Sequence, residues 1–234
     1  MIFLVSDAHF GSGENQEERE ELFIQFLEKV RTEGAKLIIL GDLFDFWFEY
    51  RHYVNARYLP ILQGLVETAQ KVPTIYIAGN HDLWIGRFFE ERGIRTVREI
   101  HLEGDVAFAH GDNLKKGIRT RDILTNPLLV KLFYLIHPDW GYELARLVSG
   151  TSRKRNKEVD SVPEWMWQYV IEKIPVSTIV VGHLHVPLKE ERGTKRIVCI
   201  GDWMKRYTYG ILEGNRIRVV EYTTGRELLS TDLG

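Results

Sequence analysis

The sequence predicts an α/β fold whose strand ends carry the function. Three observations predict it: five short apolar runs, helical stripes between the first three of them, and turn-punctuated strands near the C-terminal end. The apolar runs, often β-branched, occupy 2–5, 37–40, 74–78, 106–109 and 178–181 and are bounded by Gly, Asp, Asn or His, as buried strands are. Residues 17–31 place Leu22, Phe23, Phe26, Leu27 and Val30 at helical spacing among charges, and 58–70 repeat the pattern through Leu62, Leu65, Val66 and Ala69. Alternating strand and helix joins the first three runs into one sheet by crossovers.

Beyond residue 193 the pattern shortens to strands at 196–200, 207–212 and 216–222, the last two separated by Glu213-Gly214-Asn215. This reads as a β-meander supplying most of a second sheet. Between the fourth and fifth runs, residues 113–176 are helical by their punctuation. Asn126-Pro127 is an N-cap followed by proline at the first helical position, and Ser161-Val162-Pro163-Glu164 has capping-box spacing. The expected organisation is one domain over 1–234 with a helical insertion, or lid, at 113–176. Residues 113–157 hold ten Lys or Arg against three Asp or Glu, although the whole chain has a formal net charge of −2. A negatively charged ligand is expected there.

A length of 234 residues with 44% hydrophobic content suits one sizeable core. The net charge argues against a dedicated nucleic-acid binder, and no such partner is expected. The single cysteine, Cys199, lies in the apolar run 197–200 and has no second cysteine to pair with, which fits a cytoplasmic address. No basic segment with a long apolar stretch precedes the first strand, so no secretory leader is expected. The apolar-rich segment 128–136 is interrupted by Lys131 and is too short to span a bilayer.

Each apolar run is followed by a short polar motif: Asp7-Ala8-His9, then Gly41-Asp42 leading to Asp45, then Gly79-Asn80-His81-Asp82, then His110-Gly111-Asp112, then Gly182-His183-Leu184-His185. Five of the eight histidines fall in these loops. Open α/β sheets gather function at the carboxyl ends of their strands. Aspartate, histidine and asparagine without sulfur suit Mn²⁺, Fe²⁺ or Zn²⁺, whereas structural zinc recruits cysteine. Alone, Asp-x-His is a weak signal, Gly-Asp after a strand is usually a turn, and Gly-His-x-His reads equally as a surface histidine pair or a ligand pair. All five in this order are a metal site. His52, His101 and His137 lie outside the motifs, and Trp47, Trp165 and Trp167 read as core.

In this order the motifs resemble the calcineurin-like metallophosphoesterase superfamily, whose signature is Asp-x-His, Gly-Asp, Gly-Asn-His, His and Gly-His-x-His. The resemblance covers residues 1 to about 202 and implies two packed mixed β-sheets flanked by helices. It also implies two divalent metal ions, with Mn²⁺ favoured and Fe²⁺ or Zn²⁺ as alternatives. Carried over by motif, Asp7, His9 and His185 hold one ion, Asn80, His110 and His183 the other, and Asp42 bridges them. Such pairs stand about 3.5–4 Å apart and clamp the oxygens of an in-line displacement. A water between them is acidified towards hydroxide and attacks phosphorus. By the same resemblance His81 is catalytic, serving the leaving oxygen or the phosphoryl charge, and Asp45 orients its imidazole.

Within the superfamily the chain is most similar to the UDP-2,3-diacylglucosamine diphosphatases of lipid A synthesis. The similarity lies in Gly41-Asp42-Leu43-Phe44-Asp45, in the helical insertion after His110-Gly111-Asp112, and in Gly201-Asp202-Trp203. His137-Pro138-Asp139-Trp140-Gly141 and Ser152-Arg153-Lys154 are similar to one branch of those enzymes. This implies hydrolysis of a nucleotide-sugar lipid into UMP and a diacylated sugar 1-phosphate, with peripheral contact at the cytoplasmic face of the inner membrane. The best-known branch has arginine where this chain has His81. Ser152, Arg153 and Arg155 are candidate diphosphate contacts. Leu128, Leu129, Leu132, Phe133 and Ile136 either offer an acyl-chain surface or pack the insertion onto the sheet. Two rival readings stand beside this one: a broader phosphodiesterase, nucleotide pyrophosphatase or nuclease of the same superfamily, and a binding scaffold that has lost catalysis. A scaffold should show broken ligand motifs, and here all seven ligands are present.

Overall fold

The computed structural model describes residues 1–50, 52–115, 122, 124–143 and 159–233. In chain order the described strands are β1 (Ile2–Val5), β2 (Lys36–Ile39), β3 (Thr74–Ile77), β4 (Ile94–Val97), β5 (Ile100–Glu103), β6 (Val106–Ala109), β7 (Thr178–Val181), β8 (Pro187–Arg192), β9 (Lys195–Ile200), β10 (Thr208–Glu213), β11 (Arg216–Glu221) and β12 (Glu227–Asp232). The main helices are α1 (Gln16–Glu33), α2 (Leu59–Ala69), the single turn α3 (Arg87–Glu90), α4 (Pro127–Tyr134) and α5 (Glu164–Lys173).

The strands form two mixed sheets, one ordered β12-β11-β10-β1-β2-β3-β4 and the other β5-β6-β7-β9-β8. In the first, β1 to β4 are parallel, with Phe3 opposite Leu37 and Leu37 opposite Thr74. In the second, β6, β7 and β9 are parallel. Alternation along each strand sorts side chains between two faces. Leu4, Ile38, Leu40 and Ile77 meet Phe108, Val180, Val198 and Ile200 between the sheets. Phe3, Val5, Leu37 and Ile39 face the other way and pack with Phe23, Phe26, Leu62 and Leu65 of α1 and α2. On the outside of the second sheet, Ala107, Ile179 and Cys199 pack against Met166, Trp167 and Val170 of α5. The result is two sheets back to back, with helices on both outer faces.

The expected C-terminal meander does not form a second sheet of its own. Its first strand, β9, enters the second sheet beside β7, while β10 crosses to the first sheet and pairs antiparallel with β1, Phe3 opposite Ile211. The physical reason is that β1 is buried and its backbone needs partners on both edges. Parallel β2 satisfies one edge, and β10 satisfies the other.

The insertion divides in two. The Asn126 side chain caps α4 by accepting from Leu128 N at 2.9 Å, and no residue of α4 is buried. Helix α5, in contrast, belongs to the core layer. It begins at Glu164 with no side-chain cap, so the capping box expected from Ser161 does not form. A helix begun at Ser161 would need Val162 helical immediately before Pro163, which the proline ring disfavours. Val162 N–H donates instead to Glu190 Oε1 at 2.6 Å.

Candidate metal centre

Every sequence-predicted ligand lies just beyond the carboxyl end of its strand, and both sheets contribute. Asp7 and His9 follow β1, Asp42 follows β2, and Asn80 follows β3. His110 follows β6, and His183 and His185 follow β7. Backbone bonds tie these loops together across the top of the sandwich. Asp7 N donates to Gly41 O at 3.1 Å, His9 N to Asp42 O at 3.0 Å, and Gly182 N to His110 O at 2.9 Å. Glycine permits the closest approach: a Cβ on Gly41, whose φ is +86°, would stand 2.7 Å from Gly79 Cα and from His110 Nδ1.

The side chains gather into two clusters whose ligand atoms lie within 4.8 Å of one another: Asp7, His9 and His185, and Asp42, His110 and His183. In the first, Asp7 Oδ1 stands 3.5 Å from His185 Nε2 and 3.9 Å from His9 Nε2. The two imidazoles stack with centroids 5.2 Å apart and planes 11° apart. In the second, His110 Nε2 lies 3.3 Å from Asp42 Oδ2 and 3.2 Å from Asn80 Oδ1. Asp42 Oδ2 is also 3.8 Å from His9 Nε2, so one carboxylate oxygen faces a nitrogen of each cluster.

Several details fit divalent cations. Asp7 Oδ1 is buried with no hydrogen-bond partner among the described residues, while its Oδ2 accepts from His183 N at 2.9 Å. His110 Nδ1 is 2.7 Å from the Leu40 carbonyl. A carbonyl only accepts, so the proton belongs on Nδ1 and Nε2 is left for a metal. Asp7, His9, Asp42, His183 and His185 all have φ between 47° and 65°. Left-handed backbone at non-glycine residues is strained and concentrates at functional sites. Among the described non-glycine residues only Asn15 and Tyr207 share that conformation.

The electrostatics match the geometry. Burial alone would hold the His110 imidazole low, but the Asp42 carboxylate outweighs it and pushes the ring up to about 10. Burial opposes charge on Asp42 too, yet His110 and His81 hold it well below the usual carboxylate range. Burial, helped by the His110 charge, takes His183 down to about 4. Burial raises Asp7 above the ordinary aspartate value.

His81 stands beside the clusters. Its Nδ1 is 2.9 Å from the Asp45 carbonyl and 3.7 Å from Asp45 Oδ1, and its backbone N–H donates to Asp42 Oδ1 at 2.8 Å. The Asp45 contact that lies at hydrogen-bond distance is thus the backbone carbonyl. Asp45 Oδ1 also lies 3.8 Å from His9 Nδ1, and His9, Asp45 and His81 form a third convergent group. Of the residues expected to meet substrate, Leu132 is half exposed and Phe133 packs against Phe46, Phe48 and Trp84. Ser152, Arg153 and Arg155 lie outside the described residues. Asp82 was missed by the sequence reading. Buried, it accepts from Leu43 N at 2.8 Å, Gly79 N at 2.7 Å and Tyr76 OH at 2.5 Å, which locks the β2 and β3 loops together. Its only sequence signal is its place at the end of Gly79-Asn80-His81-Asp82.

The sequence model of the calcineurin-like phosphoesterase family matches residues 1–187. A UDP-2,3-diacylglucosamine hydrolase from Porphyromonas gingivalis is 28% identical over 92% of this chain and 95% of its own length. One from Pseudomonas fluorescens is 33% identical over 87% of each. Among solved structures, a dimetal phosphatase from Danio rerio superposes with a TM-score of 0.55 at 12% identity, covering 100% of this chain and 98% of that one. This likeness is one of fold.

Proposed function

The chain belongs to the calcineurin-like phosphoesterase family, and we propose that it hydrolyses the diphosphate bond of UDP-2,3-diacylglucosamine, releasing UMP and 2,3-diacylglucosamine 1-phosphate. The observation that carries this reading is the pair of Asp/His clusters across the top of the sandwich. Relatives named for that substrate align with the chain over nearly their whole length, which supports the choice of substrate.

Two divalent cations, Mn²⁺ by preference, would supply Lewis acidity there, offsetting phosphate charge and lowering the pKa of an attacking water. Asp7, His9 and His185 would hold one, Asn80, His110 and His183 the other, and Asp42 would lie between them. The protein's own part is to fix those donors and to serve the leaving oxygen. The Asp45 carbonyl accepts a hydrogen bond from Nδ1–H of His81, which leaves Nε2 for the substrate. From Nε2 the His81 ring would donate a proton to the oxygen that departs with the sugar phosphate or stabilise charge on the phosphoryl group.

Acyl-chain binding is supported by α4, where Leu128, Leu129, Leu132 and the following Leu135 are exposed. Beside α4 a cavity of about 580 Å³ is lined by Phe46, Trp47, Tyr53, Tyr58, Pro138 and Tyr142. Each buried methylene contributes about 0.8 kcal/mol. The same exposed residues support contact with a membrane surface, which we place at the cytoplasmic face of the inner membrane. Ser152, Arg153 and Arg155 remain our candidates for the diphosphate.

Incubation with UDP-2,3-diacylglucosamine and Mn²⁺ tests the proposal. UMP release should exceed that from unacylated nucleotide diphosphosugars. Equal rates on both would point to the broader pyrophosphatase, and no hydrolysis of either would remove the proposal.

A further inference from the structure

We infer that the turn after β9, Gly201-Asp202-Trp203 with Arg206, acts together with Arg19 to position the Asp7, His9 and His185 cluster and so sets its metal affinity apart from that of the other cluster. The inference rests on the dinuclear reading above. Two arms leave this turn, and each ends on backbone beside a ligand of that one cluster.

The first arm runs through Trp203. Its ring is fully buried against Phe23, Phe26 and Tyr222. Its backbone N–H donates to Ser6 O at 3.1 Å, one residue before Asp7. The Ser6 hydroxyl returns a bond to Gly201 O at 3.3 Å. Trp203 Nε1 donates to Arg19 O at 3.2 Å. Arg19 is itself buried in α1, and its guanidinium donates to Ala8 O at 3.0 Å and to Ser12 O. Ala8 lies between Asp7 and His9, so the guanidinium grips the middle of the ligand loop. A rigid fork of donors suits that task.

The second arm runs through Asp202. Its Oδ1 accepts from Lys205 N at 2.5 Å and Arg206 N at 3.0 Å, which closes the turn. Its Oδ2 lies 3.4 Å from Arg206 Nη1, and that same nitrogen donates to the His185 carbonyl at 3.0 Å. Asp7, His9 and His185 have φ of 53°, 47° and 59°. Left-handed non-glycine residues persist only where their surroundings over-determine them, and the two arginines hold the neighbouring carbonyls that fix them. The other cluster is steadied by different contacts, His110 Nδ1 on Leu40 O and His81 N on Asp42 Oδ1.

Changing an outer partner of a metal ligand typically costs about 10–100-fold in metal affinity. The test is calorimetric titration of Mn²⁺ into metal-free protein. Wild type should take up two ions. Arg206 is about one-third exposed at its side chain (31%), so Arg206→Met should fold. It should weaken one binding step about 10–100-fold and leave the other unchanged. Arg206→Lys, which keeps a donor for the His185 carbonyl, should recover part of that loss. Arg218→Met, which removes a surface partner of Glu213, should leave both steps as they were. If circular dichroism shows Arg206→Met unfolded, Asp202→Asn carries the same comparison. Equal weakening of both steps, or of neither, overturns the inference while the dinuclear centre stands. Wild-type protein that takes up one ion or none removes the dinuclear reading, and the inference with it.

Discussion

His110 and His183 end neighbouring strands, and their rings meet with centroids 5.0 Å apart, yet they titrate in opposite directions. Burial lowers both, but Asp42, 3.3 Å from His110 Nε2, outweighs it there. At His183 the weaker pull of Asp42 is overcome by burial and the His110 charge, so His110 rises to about 10 while His183 falls to about 4. At pH 7 in the metal-free protein His110 is therefore a cationic imidazolium and His183 a neutral imidazole. If His110 ligates through Nε2 as proposed, metal uptake must expel its second proton, so uptake should release protons and affinity should rise with pH towards about 10. Calorimetry in buffers of different ionisation enthalpy should count at least one proton released per chain at pH 7, and a count of zero would contradict this assignment. His81 is placed for catalysis, with its Nδ1 held at the Asp45 carbonyl. His81→Ala should lower kcat by roughly 10²–10⁴ with both ions retained, and loss of an ion would make it a ligand or a support instead. The residues of the two clusters were legible in the sequence because each motif is local, a few residues after an apolar run. Asp82, Arg19 and Arg206 were not. What they hold is backbone far away in the chain, Leu43, Ala8 and His185 respectively, and such partners leave no local pattern.

At the scale of elements, the strands that periodicity left unread are β4, β5, β8 and β12, and these are the four edges of the two sheets. An edge strand has one neighbour and is kept charged to discourage further pairing, which erases the apolar run. Pro187-Leu188-Lys189-Glu190-Glu191-Arg192 shows this most plainly. The interior strands β1, β2, β3, β6 and β7 were legible for the converse reason, since nearly all their residues are buried. The meander was misallocated because pairing partners are a property of the sheet and are not written in a strand's own pattern. The insertion helix α4 also separates two residues that the sequence grouped together. Leu132 is 50% exposed, so Leu132→Ser should change stability by no more than about 0.5 kcal/mol while raising KM for a diacylated substrate. Phe133 contacts Phe46, Phe48 and Trp84, and Phe133→Ser should cost about 1–1.5 kcal/mol for its half-buried ring. Equal melting temperatures for the two variants, by circular dichroism, would refute the distinction.

At the scale of the whole molecule, packing the two sheets face to face brings the ends of β1, β2 and β3 from one sheet to the ends of β6 and β7 from the other. Neither sheet alone supplies the centre: the second provides His110, His183 and His185, and the first provides the aspartates that face them. Metal should therefore stabilise the packing of one sheet on the other, since a ligand bound only to the folded state raises its stability by mass action. Removing metal with a chelator should lower Tm, and excess Mn²⁺ should restore it. The central claim, a dinuclear phosphoesterase centre with Asp42 between its ions, is tested most directly by measuring bound Mn²⁺ per chain against the rate of hydrolysis of an artificial phosphodiester. For the wild type, the account predicts full activity only as occupancy reaches two. For Asp42→Ala it predicts occupancy well below two and no turnover. An Asp42→Ala protein with two bound ions and a normal rate would contradict it.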